Sequence, residues 1–141
     1  MIPGCEIKLL ITDFDGTLVD TFRANYMAYR KAFEEVGLVL CETDYRCCFG
    51  YRFEKFMEVC GVTDEKKAAE IKELKSFYYP DYFKYLQVND VLLRLLLTFK
   101  KGGGKIAVAS TARRKNLDNV LRYIGVVDNF DYILAGEDVE C

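Results

Sequence analysis

Residues 7–11 read IKLLI, apolar at all but one position, and the run gives way to the turn-prone Asp15-Gly16-Thr17. An apolar run without alternation is expected of a strand covered on both faces, as in parallel sheets. KIAVA (residues 105–109) and YILA (residues 132–135) have the same pattern, so three strands are expected. Between the first two the period becomes helical: Phe22, Tyr26, Tyr29, Phe33 and Val36 recur at spacings of three and four, and Gly37 supplies a stop. A helix is therefore expected over 21–36. Phe53, Phe56, Met57 and Cys60 mark a shorter helix, and residues 64–79 another that ends near Pro80, which cannot continue a helical ladder. Asn89 or Asp90 can cap a helix carrying Val91, Leu92, Leu95, Leu96 and Phe99, before the break at Gly102-Gly103-Gly104. Leu117, Val120, Leu121 and Ile124 form one stripe ended by Gly125, so the second and third strands flank a helix. That order predicts a βαβ unit with a right-handed crossover and a parallel strand pair.

Composition narrows the class without changing this outline. With 141 residues, 51% hydrophobic and 30% charged, the chain is expected to form one domain, or two parts sharing one core. Twenty basic against 22 acidic residues leave a net charge of −2, too little to draw nucleic acid. No apolar run approaches the roughly 20 residues of a membrane span, and no signal-peptide layout opens the chain. A cytoplasmic protein with neither a nucleic-acid nor a membrane partner is expected. The six cysteines (Cys5, Cys41, Cys47, Cys48, Cys60, Cys141) include no CxxC pair, and there is no histidine. A Cys/His zinc site and a His-dependent catalytic triad are thereby excluded, and buried or free thiols are expected. Chemistry must rest on carboxylates, hydroxyls, lysines or a metal.

Asp13 and Asp15 are the first candidates. Two residues apart on an extended chain, they share a side while Phe14 points away into packing. Parallel sheets bind ligands at the carboxyl ends of their strands, where both aspartates fall. Two such charges are costly together unless a proton or cation is shared. Mg²⁺, which prefers oxygen ligands and often a phosphate, suits the pair. A plain Asp-Gly turn after a core strand accounts for Asp15-Gly16 but not for the whole set.

The stretch DFDGTLVDT (residues 13–21) resembles the first motif of the haloacid dehalogenase (HAD) superfamily. The resemblance implies an α/β fold: a Rossmann-like parallel sheet, here of about three strands, with an inserted α-helical cap. The core would be residues 1–20 and 87–141, and the cap residues 21–86. It implies further that Asp13 is a nucleophile that accepts a phosphoryl group. Asp15 would be the general acid and base, and Mg²⁺ would be held by the Asp13 carboxylate and the Asp15 carbonyl. Thr17 would orient the loop or the substrate, and Asp20 would cap the next helix. KIAVAST is similar to the second motif, which makes Ser110 and Thr111, with the helix N-terminus beyond them, phosphate-binding candidates. Arg113 would add charge there; Arg114 and Lys115 fit a solvated first turn better.

The insertion matches in position the small helical cap of the phosphoglycolate phosphatase-like and β-phosphoglucomutase-like branches. Within it CCFGYRFEKF resembles the segment that reaches the active site, so Gly50, Tyr51 and Arg52 are specificity candidates, with a surface cation an equal reading of Arg52. The aromatic FYYPDYFKY (residues 77–85) fits a helix-bundle core better than a substrate platform. In the family a lysine motif and an acidic pair follow the strand that YILAGEDVE resembles, and on this reading the chain stops before both. The first strand is then expected as an exposed apolar edge, free to pair with another chain or in a homodimer. The implied function is Mg²⁺-dependent hydrolysis of a small phosphorylated metabolite, weak or absent in this chain. The alternatives are a non-catalytic assembly module, a phosphomutase or a dehalogenase.

Overall fold

The computed structural model describes residues 6–138. In chain order β1 is Leu9–Asp13 and β2 is Val19–Asp20; the helices α1 (Phe22–Glu35), α2 (Glu42–Cys48), α3 (Phe53–Val59) and α4 (Glu65–Tyr78) follow. A 3₁₀ segment, Tyr79–Tyr85, leads to β3 (Gln87–Val88), α5 (Asp90–Lys101), β4 (Lys105–Ala109), α6 (Arg114–Tyr123) and β5 (Tyr132–Leu134). The mixed α/β architecture expected from the sequence is present. β1, β4 and β5 form a parallel sheet in the order β1–β4–β5, with Asp13 opposite Ala109 and Ala109 opposite Leu134.

The helix ends follow local chemistry. Asp64 caps α4 by accepting from the Lys66 N–H at 2.9 Å, and Asn89 caps α5 by accepting from the Leu92 N–H at 3.1 Å. Pro80 sits where the α-helix tightens into the 3₁₀ segment. Three elements were not foreseen. α2 has too few apolar positions to show a period, and β2 and β3 have only two residues each. The antiparallel β2–β3 pair, with Val19 opposite Val88, brings the two ends of the helical insertion side by side. The Asn89 N–H adds a bond to the Leu18 carbonyl at 2.8 Å.

Two apolar clusters result. In one, Leu10, Ile106, Val108 and Ile133 of the sheet pack with Leu96 of α5 and Leu117, Val120 and Leu121 of α6. In the other, Phe33, Tyr45, Phe56, Met57 and Ile71 join α1 to α2, α3 and α4. α1 serves both: Ala24 and Ala28 lie in the first cluster, Ala32 and Phe33 in the second.

The expectation that the first strand is covered on both faces is not met. α5 and α6 pack on one side of the sheet. On the other, Leu9, Ile11, Tyr132 and Leu134 are 41%, 60%, 49% and 41% exposed. β1 also lies at the sheet edge, with β4 as its one neighbour among the described residues. The four described cysteines, Cys41, Cys47, Cys48 and Cys60, are free thiols; Cys5 and Cys141 lie outside the described residues. Among the described residues no helix is long and apolar enough to cross a membrane.

Candidate active site

The site starts from the anchoring of one phenylalanine. Phe14 is 1% exposed, and burying such a side chain is worth roughly 1.5–3 kcal/mol. With Phe14 fixed inward, Asp13 ends β1 on the opposite side, exposed at the carboxyl end of the sheet. The Asp13 carboxylate accepts from the Phe14 N–H at 3.0 Å and lies 3.5 Å from the Thr17 hydroxyl. Gly16, at φ +78°, turns the chain sharply so that its N–H reaches the Val19 carbonyl at 2.8 Å.

Asp15 is held from two sides. Its Oδ1 accepts from the Thr21 hydroxyl at 2.7 Å and its Oδ2 from the Ser110 hydroxyl at 2.6 Å. Ser110 Oγ in turn accepts from the Ala112 N–H at 3.0 Å. The ends of β1 and β4, remote in sequence, are thus joined through one carboxylate. Thr21 stands at the α1 N-cap position, yet its hydroxyl goes to Asp15; Asp20 accepts from the Phe22 N–H instead, at 3.2 Å.

A cavity of about 170 Å³ opens beside Asp15, lined by Gly50, Tyr51, Arg52, Lys75, Thr111, Arg113 and Asn116 among others. Asp13 is outside its lining. Of the sequence candidates, then, Asp15, Gly50, Arg52, Thr111 and Arg113 line one cavity, while Asp13 and Thr17 are outside its lining and Ser110 is buried behind Asp15. Two of the arginines are engaged in bridges. Arg52 donates to the Gly136 carbonyl at 3.2 Å. Arg113 donates to the Ser76 hydroxyl at 3.1 Å and to the Glu73 carboxylate at 2.7 Å, so it ties the start of α6 to α4. That guanidinium holds the Glu73 carboxyl below its ordinary range. Arg114 turns away, to Asp138 and to the Ile133 carbonyl at 2.7 Å.

Sequence reasoning missed Lys75. It is 3% exposed, its ammonium lies 3.8 Å from the centre of the Tyr79 ring and 5.0 Å from that of Tyr29, and it lines the cavity. Burial pushes its ammonium down from the ordinary 10.5 to about 7, against an opposing pull from Asp15 and with a further push from Arg113. Burial likewise raises the phenols of Tyr29, Tyr45 and Tyr79. A signal was present: positions 68, 71, 75 and 79 fall on one helical face, and lysine occupies a place that period assigns to the core.

The donor set suits a hard divalent cation. Asp13 offers an exposed carboxylate, and among the described residues the Asp15 carbonyl receives no hydrogen bond. Mg²⁺ is commonly bound by one or two carboxylates with waters and substrate phosphate completing the shell. No cluster of three or more acidic or cysteine side chains accompanies the pair among the described residues.

The family model "Haloacid dehalogenase-like hydrolase" matches residues 10–141. The chain belongs to that family. This HAD-like chain is 30% identical over 139 residues to the Bacillus subtilis protein named "Putative phosphatase YhcW", covering 95% of the chain and 62% of that protein. It is 29% identical over 147 residues to Protein CbbY of Rhodobacter capsulatus, covering 95% of the chain and 65% of CbbY. A β-phosphoglucomutase structure from Clostridium difficile superposes with a TM-score of 0.76 at 26% identity, covering 96% of the chain and 65% of the mutase. The chain thus spans just under two thirds of the length of each of these relatives.

Proposed function

We propose that this HAD-like chain carries the phosphoryl-transfer site of a Mg²⁺-dependent hydrolase of small phosphorylated metabolites, with residues 21–86 acting as its cap. The observation that carries the reading is the Asp15 carboxylate, gripped by Thr21 and Ser110 where it lines a cavity, two residues from the exposed Asp13. The relatives named for phosphatase and phosphomutase activity support the same phosphoryl chemistry.

In this mechanism an Asp13 carboxylate oxygen attacks phosphorus as the bond to the leaving oxygen breaks, which forms an aspartyl-phosphate. Asp15, protonated, gives its proton to the departing alkoxide. The two hydroxyls fix its rotamer so that this transfer needs little reorganisation. Asp15 then takes a proton from water, which attacks the phosphorus, releases phosphate and restores Asp13. Mg²⁺ at Asp13 and the Asp15 carbonyl would neutralise charge on the phosphoryl oxygens. The Thr111 and Thr17 hydroxyls are the donors this reading gives to the phosphate, since the Ala112 N–H is already taken by Ser110 Oγ.

The test is phosphate release from a panel of small phosphomonoesters with Mg²⁺, together with retention of radiolabel from a labelled acyl phosphate. Wild type is expected to retain label and to release phosphate, if slowly, and Asp13→Asn to do neither. Equal labelling of the two proteins would sink the assignment. Return of the phosphoryl group to a sugar hydroxyl, with no phosphate released, would make the protein a mutase.

A further inference from the structure

A second cavity, of about 400 Å³, is lined by Asp20 of β2, Gln87 of β3, Phe22 and Arg23 of α1, and Arg46 of α2. Tyr85 and Phe49 complete its wall, and among the described residues Phe49 alone also lines the cavity beside Asp15. The volume falls within the ~300–1,000 Å³ of small-molecule sites. The mechanism proposed above uses none of these side chains.

The local charge runs against that of the whole chain. Two guanidiniums and one carboxylate line this cavity, and Lys84 lies 5.3 Å from the centre of the Tyr85 ring, whereas the chain carries a net charge of −2. The carboxylate, Asp20, accepts from the Phe22 N–H at 3.2 Å. Arg23 takes part in no ion pair among the described residues. Arg46 meets Glu42 at 3.5 Å, but both side chains are more than half exposed, and a pair so screened by water yields readily to a better anion. Aromatic rings hold both guanidiniums instead: Arg46 lies 4.2 Å from the centre of the Phe22 ring and Arg23 5.3 Å from that of Tyr85. Contact with a ring face positions a guanidinium without consuming its N–H donors, which pair two at a time with a phosphate or carboxylate. Beside these donors Phe49 and Tyr85 offer flat apolar surface, and the exposed Gln87 brings an amide that both donates and accepts, as the edge of adenine does.

We propose that this cavity binds a planar organic anion of the nucleoside monophosphate class, its phosphate between Arg23 and Arg46 and its ring against Phe49 and Tyr85, at a site separate from the catalytic one. Such a ligand is an effector of the cap. It touches β2 and β3, the paired strands that bring the two ends of the helical insertion together. It also touches Phe49, whose ring lies 3.7 Å from where a Cβ on Gly16 would stand, next to Asp15.

The test measures binding of AMP by calorimetry to the full chain carrying Asp13→Asn, without Mg²⁺, so that neither turnover nor the catalytic centre intervenes. Arg23 and Arg46 are exposed, so replacing them leaves the core intact. Arg23→Gln and Arg46→Gln should each weaken binding about 10- to 100-fold, the range of a charge-assisted hydrogen bond. Arg23→Lys should recover part of the loss, and Arg52→Gln, in the other cavity, should change nothing. Adenosine, which lacks the anion, and ribose 5-phosphate, which lacks the ring, should each bind at least about 10-fold more weakly than AMP. In a second readout, AMP should slow hydrogen exchange in α2 and in β2 and β3 and leave α6 unchanged. Binding weakened by Arg52→Gln and not by Arg23→Gln would make AMP a ligand of the Asp15 cavity, which overturns the inference and leaves the phosphatase reading standing. Equal binding of the three ligands, or no saturable binding of AMP, overturns it as well; the phosphatase reading survives either result, because no step of it passes through this cavity.

Discussion

Replacing Lys75 with methionine should make this protein more stable, and should do so in a pH-dependent way. Methionine keeps the length and flexibility of the lysine stem, is a good helix former, and needs no partner in a cavity walled by Tyr29 and Tyr79. The fall from the ordinary 10.5 to about 7, at about 1.4 kcal/mol per pH unit, corresponds to on the order of 5 kcal/mol that the folded protein loses by holding the charge. Losing the close contact with the Tyr79 ring returns up to about 2 kcal/mol of that, leaving a gain near 3 kcal/mol at or below neutral pH. The sign with pH follows from linkage. Between about pH 7 and the ordinary lysine range the unfolded chain holds a proton that the folded chain has released, so the wild type gains stability as pH rises through that window. The phenols of Tyr29 and Tyr79 stay protonated in the folded chain, and what their unfolded counterparts release near the top of that window is common to both proteins and leaves the gap between them unchanged. Urea unfolding should therefore show the variant most favoured at about pH 6, with the gap narrowing towards about pH 10. A variant less stable at about pH 6, or an advantage that does not change with pH, would refute the reasoning.

Other perturbations test separate parts of the structure. At Gly136 an added Cβ would sit 2.4 Å from the Thr111 carbonyl oxygen, backbone that cannot swing aside. Gly136→Ala should cost about 1–3 kcal/mol in denaturant unfolding and break the Gly136 N–H bond to the Ala112 carbonyl, 2.8 Å in the wild type. The carboxyl of Asp131 is held below its ordinary range by the Ile106 N–H and then by Lys100, so its contribution is present above that range and fades as acid titrates it. Asp131→Asn should accordingly lower the melting temperature near neutral pH and bring the two proteins together as pH falls below the ordinary carboxylate range. Arg113→Met removes the link from α6 to Glu73 and Ser76 of α4. Hydrogen exchange should then speed up in α4 and hardly change in β4, and uniform change in both would argue against a local clasp.

The sequence by itself determined the strands, the long helices and the motif that places this chain in its family, because those depend on local chemistry. Period located α1, α5 and α6, the stretch running to Pro80 located α4, and Asn89 caps where a capping residue was expected. The Asp-x-Asp pair could be read because a buried phenylalanine between two aspartates forces both to one side. What only the tertiary structure decided is which distant groups meet. Ser110 joins Asp15 across 95 positions and Arg52 reaches Gly136 across 84, contacts that no local pattern encodes. Arg113, which the sequence offered as a free phosphate ligand, is bound to Glu73, and the strand expected to be covered on both faces is bare on one. Lys75 shows the division most sharply. The sequence put a lysine on an apolar face; only the packing of α4 against the aromatic rings buried it with no ion-pair partner among the described residues. Burial and the absence of a counter-ion are properties of the assembled neighbourhood, and they give that residue its chemistry.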